Sequence, residues 1–140
     1  MINKIIVGVM ILMTVVTGRA VAQNQDKEQA AVRAAESWLK LVDDGKYAQS
    51  WAEAADNLKI IVTQQQMDQS FKSVREPLGK IITRKVKNTQ YTTSLPGMPD
   101  GEYVVIQFES SFENKQEALE AVIPMIQKDS IWRVIGYSIK

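Results

Sequence analysis

Apolar residues recur at three- and four-residue steps in the first half of the chain and at two-residue steps in the second, so the sequence predicts helices followed by strands. Val32, Ala35, Leu39 and Val42 form one stripe, with Trp38 on it, and predict a helix over Lys27 to Asp44. Asp26 stands where it can cap the start, and Gly45 where a left-handed residue can end it. Tyr47, Trp51, Ala54, Ala55 and Leu58 predict a second helix, antiparallel to the first or steeply crossed with it. Thr63 and Gln66 have the spacing of a capping box, followed by the stripe Met67, Phe71, Val74 and Leu78, until Pro77 and Gly79 close the turn. A third helix over about Gln64 to Glu76 follows.

Beyond Lys80 the period falls to two. Ile81 to Phe112 reads as two strands around Ser94-Leu95-Pro96-Gly97-Met98-Pro99-Asp100-Gly101, where two prolines and two glycines force a turn. In the second strand Val104, Ile106, Phe108 and Phe112 share one parity, and Tyr103, Val105, Gln107 and Glu109 the other, as in a sheet with one buried face. Glu117 to Gln127 alternates less cleanly and contains Pro124, so it is an edge strand or a bulged one, with a helix over Gln116 to Val122 as the alternative. Lys128-Asp129-Ser130 is a turn, and Ile131 to Ile139 a last strand with Trp132 and Val134 on one face and Ile135, Tyr137 and Ile139 on the other. Three helices and then four up-and-down strands predict an α+β domain, its N-terminal helices packed on one face of a curved four-stranded antiparallel sheet.

The N-terminus changes where this domain is expected to work. Met1-Ile2-Asn3-Lys4, the twelve apolar residues Ile5 to Val16 and the small residues of Ala20-Val21-Ala22 have the three parts of a secretory signal peptide, with cleavage after Ala22. A spanning helix needs about 20 apolar residues, and Thr17, Gly18 and Arg19 stop the run short of that. The expectation is a signal peptide over 1–22 and one domain over 23–140, periplasmic or secreted, with no stable membrane anchor after cleavage. Lys4 and Arg19 leave with the signal, so fifteen basic residues face sixteen acidic ones, and no field points to nucleic acid.

The chain has no cysteine and no histidine. Without them it has no disulfide scaffold, no Ser-His-Asp or Cys-His chemistry and no ordinary zinc site, and no cofactor is implied. Trp51, Tyr91, Tyr103, Glu109 and Trp132 are the candidates for lining a small-ligand pocket, set against a purely structural role for the aromatics, which include Trp38 and Tyr47. Asp56, Asp68, Glu53 and Glu109 are the carboxylates weighed as a base, and exposure is the default for each. Asp100 and Glu102 fall short of the six to eight oxygens of a calcium site. Arg84, Lys85 and Lys87 are expected to pair across strands with Glu102 and Glu109. No residue is assigned a catalytic or metal-binding role.

Ala35-Glu36-Ser37-Trp38-Leu39, Tyr47-Ala48-Gln49-Ser50-Trp51, Tyr91-Thr92-Thr93-Ser94-Leu95-Pro96-Gly97-Met98-Pro99-Asp100-Gly101-Glu102-Tyr103 and Trp132-Arg133-Val134-Ile135-Gly136-Tyr137 resemble the bacterial family known as domain of unknown function 4019. The resemblance runs from about Ala30 to Lys140 and is most distinctive at the Pro/Gly corner. It implies a small exported protein and carries over no catalytic residue. The order of elements is also similar to the nuclear-transport-factor-2-like folds, in which helices and a curved sheet enclose a cavity, and that fold serves isomerases, dehydratases and binding modules alike. The expected function is a non-catalytic binding or dimerisation domain, with a homodimer or an unidentified small ligand as partner. The alternative is an isomerase- or dehydratase-like enzyme using a carboxylate and a tyrosine in the cavity.

Overall fold

A computed structural model describes the backbone from Ile2 to Lys140 and the side chains from Val21 onward. Helix α1 spans Ile2–Asp43, α2 Tyr47–Ala52, α3 Asp56–Ile61 and α4 Gln64–Val74, with a 3-10 turn over Glu76–Leu78. Strands β1 (Ile81–Thr92), β2 (Tyr103–Phe112), β3 (Lys115–Ile126) and β4 (Trp132–Ile139) form one antiparallel sheet in the order β1-β2-β3-β4. The α+β class and the N-terminal helices over a four-stranded antiparallel sheet are as the sequence predicts. The side chains that argue for an export signal lie mostly outside the described residues.

The helices form for the reasons the stripes gave. Ala31, Ala35, Trp38, Leu39 and Val42 are buried on the sheet, and Gly45 takes φ +74° to stop α1. The capping box is present at α4: Thr63 accepts from the Gln66 N–H at 3.1 Å and Gln66 accepts from the Thr63 N–H at 2.9 Å. Three details differ. Asp26 is not a cap, because α1 runs straight through it and nothing between Val21 and Gln25 breaks a helix. The second predicted helix is two short ones: at Ala54 and Ala55, both fully buried, the backbone leaves the helix and the Ala55 N–H donates to the Val134 carbonyl at 2.9 Å. Val74, expected on the buried stripe, is half exposed, since α4 turns only Met67 and Phe71 inward.

The hairpin holds, with Tyr91 opposite Val104 and Ile81 opposite Phe112, and its connection is ten residues, Thr93 to Glu102. The Lys115–Ile126 segment is neither helix nor edge: β3 is a central strand, and Pro124 is accommodated where the β3–β4 register slips between Ile123 and Pro124. That slip also reverses the parity expected of β4. Gly136 pairs with Ile123 and Val134 with Pro124, so Ile135 is the extra residue and Tyr137 rejoins Trp132 and Val134 on the helix side.

Between the layers, aromatics fill the space. The Trp38, Phe71 and Tyr137 rings lie 5.7–6.0 Å apart pairwise, and Tyr47 stacks on Phe71 at 5.2 Å. Such pairs add about 0.5–1.5 kcal/mol each beyond burial alone. On the other sheet face the Thr93–Glu102 connection folds back, and Leu95 and Met98 pack with Tyr103, Ile123, Met125 and Ile135 in a second, small cluster.

Gly79, between the 3-10 turn and β1, has φ +77° and ψ −159°, a region essentially reserved for glycine, and an added Cβ would sit 3.0 Å from Glu113 Cβ. Gly79→Ala is therefore expected to lower the unfolding free energy by roughly 1–3 kcal/mol, measured by urea denaturation. An unchanged midpoint would contradict this account.

Candidate functional site

The inward parity of four strands brings charge into the core. Arg84 on β1 lies opposite Ser110 on β2, and Ser110 opposite Ala118 on β3, so Arg84 and Ser110 converge on Glu120 one step along. Tyr137 on β4 is diagonal to Glu120, whose direct partner is Ile139. Glu120 is fully buried and its carboxylate is fully occupied: Oε1 accepts from Arg84 Nε at 2.7 Å and Ser110 Oγ at 2.5 Å, and Oε2 from Tyr137 Oη at 2.5 Å.

Arg84 continues the network into the helical layer. Its Nη1 and Nη2 grip Asp43, the last residue of α1, at 2.7 and 3.0 Å. Arg75, just past α4, donates to the same Asp43 at 3.1 Å and to the Gly79 carbonyl at 2.5 Å, with its guanidinium 4.3 Å over the Phe112 ring. Two carboxylates face two guanidiniums, so the buried group is neutral overall. Burial alone would lower the Arg84 pKa, but its bonds to Asp43 and Glu120 outweigh that and hold it above the ordinary arginine value. Burial, and then the Glu120 charge, push the Tyr137 phenol upward. The phenol spends its proton on a carboxylate that an arginine already neutralises, an arrangement suited to tying elements together and poorly suited to accepting a proton from a substrate.

A smaller polar clip joins α1 to the hairpin. Lys27 Nζ and Tyr91 Oη both donate to Glu102 Oε1, at 2.5 and 2.7 Å, and Lys27 stands 5.2 Å over the Tyr91 ring. The hydrogen bond from Lys27, followed by that from Tyr91, keeps the Glu102 carboxyl below its usual range. Next to it Glu28 accepts from Thr89 Oγ1 at 2.9 Å and from the Tyr91 backbone N–H at 3.2 Å.

The five pocket candidates are not brought together. Trp51 is half-buried and donates its indole N–H to the Val62 carbonyl at 2.7 Å, while Tyr91 belongs to the clip. Tyr103 is fully buried in the second cluster, with its hydroxyl donating to the Pro99 carbonyl. Trp132 is buried on the helix side, and Glu109 lies on the opposite face, exposed and 3.3 Å from Lys85. Asp56, Asp68 and Glu53 have only local surface partners, Lys59, Lys72 and Gln49. Of the basic strand residues, Lys85 pairs with Glu109 as expected, but Arg84 points inward and Glu102 answers Lys27 instead. Two carboxylate–tyrosine pairs do meet, Glu102 with Tyr91 in the clip and Glu120 with Tyr137 in the interior, and the interior pair was not singled out from sequence. The period-two run Ala118, Glu120, Val122 carried the signal for Glu120, and the bulge at Ile135 hid the parity of Tyr137.

The outer sheet face holds an open groove of about 820 Å³ lined by Thr83, Lys85, Lys87, Glu109, Glu117 and Leu119, mixed in charge. Among the described residues no cluster of acidic side chains is arranged to hold a metal ion, and no helix is long and apolar enough to cross a membrane.

The fold and its buried network define a helix-on-sheet α+β domain whose interior polar groups serve each other. The chain belongs to the family described as protein of unknown function DUF4019, matched over residues 34–137. Comparison with curated proteins gives no match.

Removing one partner from a buried ion pair strands the other charge, so Arg84→Met is expected to cost about 3–5 kcal/mol in denaturant unfolding. Adding Glu120→Gln to that variant should recover part of the loss; no recovery would mean that the stranded carboxylate is not its cause. Because folding raises the Tyr137 pKa, the stability it contributes is complete below the unfolded tyrosine value near 10 and falls as pH rises through the folded one. Above about pH 10 the Tyr137→Phe variant should show a shallower decline of stability with pH than the parent protein, read from urea midpoints across the alkaline range.

Proposed function

We propose that this chain is an exported, non-catalytic interaction domain, delivered to the periplasm or the exterior by a signal that ends at Ala22. One observation carries the non-catalytic part: the interior carboxylate–tyrosine pair is held by Arg84 and Ser110, and the Tyr137 ring is packed against Trp38 and Phe71. An isomerase or dehydratase would require Glu120 to leave Arg84 and face a cavity. Export is supported by the composition of the first 22 residues and by the way the helix meets the domain. Residues 21–26 are exposed, and the clip to the sheet begins at Lys27, so cleavage after Ala22 leaves that clip untouched.

With the interior packed, binding is left to surfaces, and the partner is another protein chain. Native mass spectrometry of the protein recovered from outside the cytoplasm tests both parts at once. The expected species begins at Gln23 and is a complex of two or more chains. A chain that still begins at Met1 would remove the export reading, and a bare monomer would remove the interaction reading.

A further inference from the structure

The two edges of the sheet are built differently. The β1 edge carries Lys85 and Lys87 beside two register breaks, at Ile81/Thr83 and Val86/Asn88, and Glu28 accepts its outward Tyr91 N–H. Lysines, bulges and a covering side chain are the devices that keep a strand edge from pairing with another chain. The β4 edge has them only at its start, where the bulge at Ile135 lies, and beyond Gly136 its register runs unbroken to Ile139. From Val134 to Ile139 there is no charged residue and no proline, and its one described cover is the Ala55 N–H on the Val134 carbonyl.

The ladder fixes which β4 groups face outward. Leu119 and Lys140 exchange both backbone hydrogen bonds, N–H to carbonyl at 3.1 and 3.0 Å, so they are a closely bonded antiparallel pair. Bonded and non-bonded pairs alternate, which makes Ala121/Ser138 and Ile123/Gly136 the next bonded pairs. Tyr137 and Ile139 therefore turn their N–H and carbonyl groups away from β3, and among the described residues no backbone partner meets them.

We infer that this edge pairs with β4 of a second copy of the chain, antiparallel about a two-fold axis through Ser138, extending two four-stranded sheets into one of eight strands. In that register Tyr137 of each copy exchanges both backbone bonds with Ile139 of the other, giving four hydrogen bonds from one short edge. Such an edge is self-complementary, as an isologous interface must be. Charge is compatible as well: Ser138, exposed and uncharged, faces Ser138 of the second copy, and Lys140 falls opposite Gly136. The inference deepens the interaction-domain reading and rests on it, by naming the partner and the edge.

The test uses the protein expressed with its leader and purified after export, in sedimentation equilibrium. The parent protein should be a dimer. Ser138→Lys and Ser138→Glu should each be monomeric with unchanged circular dichroism, since each puts like charges opposite each other at the axis. Mixing the two in equal amounts should restore a dimer. A dimer that survives Ser138→Lys overturns the edge pairing while leaving the interaction-domain reading intact, and a mixture that stays monomeric overturns it too. A monomeric parent protein overturns the inference, whereas a complex with a different protein would still satisfy the broader reading. Should the variants lose the native spectrum, amide hydrogen exchange on the parent decides: Tyr137 and Ile139 amides must slow as concentration rises, and exchange independent of concentration overturns the pairing.

Discussion

The rest of this structure depends on the inward-pointing guanidinium of Arg84. Arg84 enters the core from an edge strand and is held there by Asp43 at the end of the first long helix and by Glu120 in the middle of the sheet. A guanidinium can serve two carboxylates at once because its donors are fixed in a planar fork, which a lysine at the same place would not reproduce. Taking such charges out of water is costly, and the attraction between them roughly offsets that cost only when every lone pair is used. Here Ser110, Tyr137, Arg75 and the Gly79 carbonyl add to the set, leaving Arg75 Nε as the single buried side-chain nitrogen or oxygen without a partner among the described residues. The network touches α1, the end of α4 and all four strands, so it fixes the position of the helical layer more narrowly than the aromatic packing above it would.

That arrangement pairs the buried charged side chains of the described residues with one another. The aromatic cluster lies between the layers, and the Pro/Gly corner folds onto the opposite face, where Leu95 and Met98 pack in the cluster of Tyr103. Lys27 and Glu28, in the second half of α1, fasten the helix to the same hairpin. The accessible features include a mixed-charge groove and the rims of the sheet, and the two rims differ in how well they are guarded. Function, on this view, lies at the boundary of the fold.

Most of the architecture was legible because it rests on local rules. The Thr63–Gln66 box, the stop at Gly45 and the hairpin about the Pro/Gly corner are each decided by residues close in sequence. The errors arose where a distant backbone decided the matter. Ala54 and Ala55 look helical on spacing alone, yet the Val134 carbonyl draws the chain out of the helix. Pro124 reads as a sign of an edge strand or a bulged one, and only the distant β4 decides for the second, with a slipped register that tolerates it in a central strand. The candidate site fared worst, because rarity of buried carboxylates argued for exposure everywhere, and Glu120 is the exception that a partner from β1 makes affordable. Trp51, Tyr91, Tyr103, Glu109 and Trp132 were drawn together by chemistry, and the fold distributes them over separate surfaces and clusters.

The strand order follows the chain order, β1-β2-β3-β4, and that has a kinetic side. Each strand closes only a short loop onto its predecessor, so the sheet can assemble hairpin by hairpin at small entropic cost. The helical segment must travel: Asp43 meets an arginine 41 residues on, Lys27 a glutamate 75 residues on, and the Ala55 N–H the carbonyl of Val134. The slow search in this molecule belongs to the helical segment, which is synthesised before any of the strands it has to find.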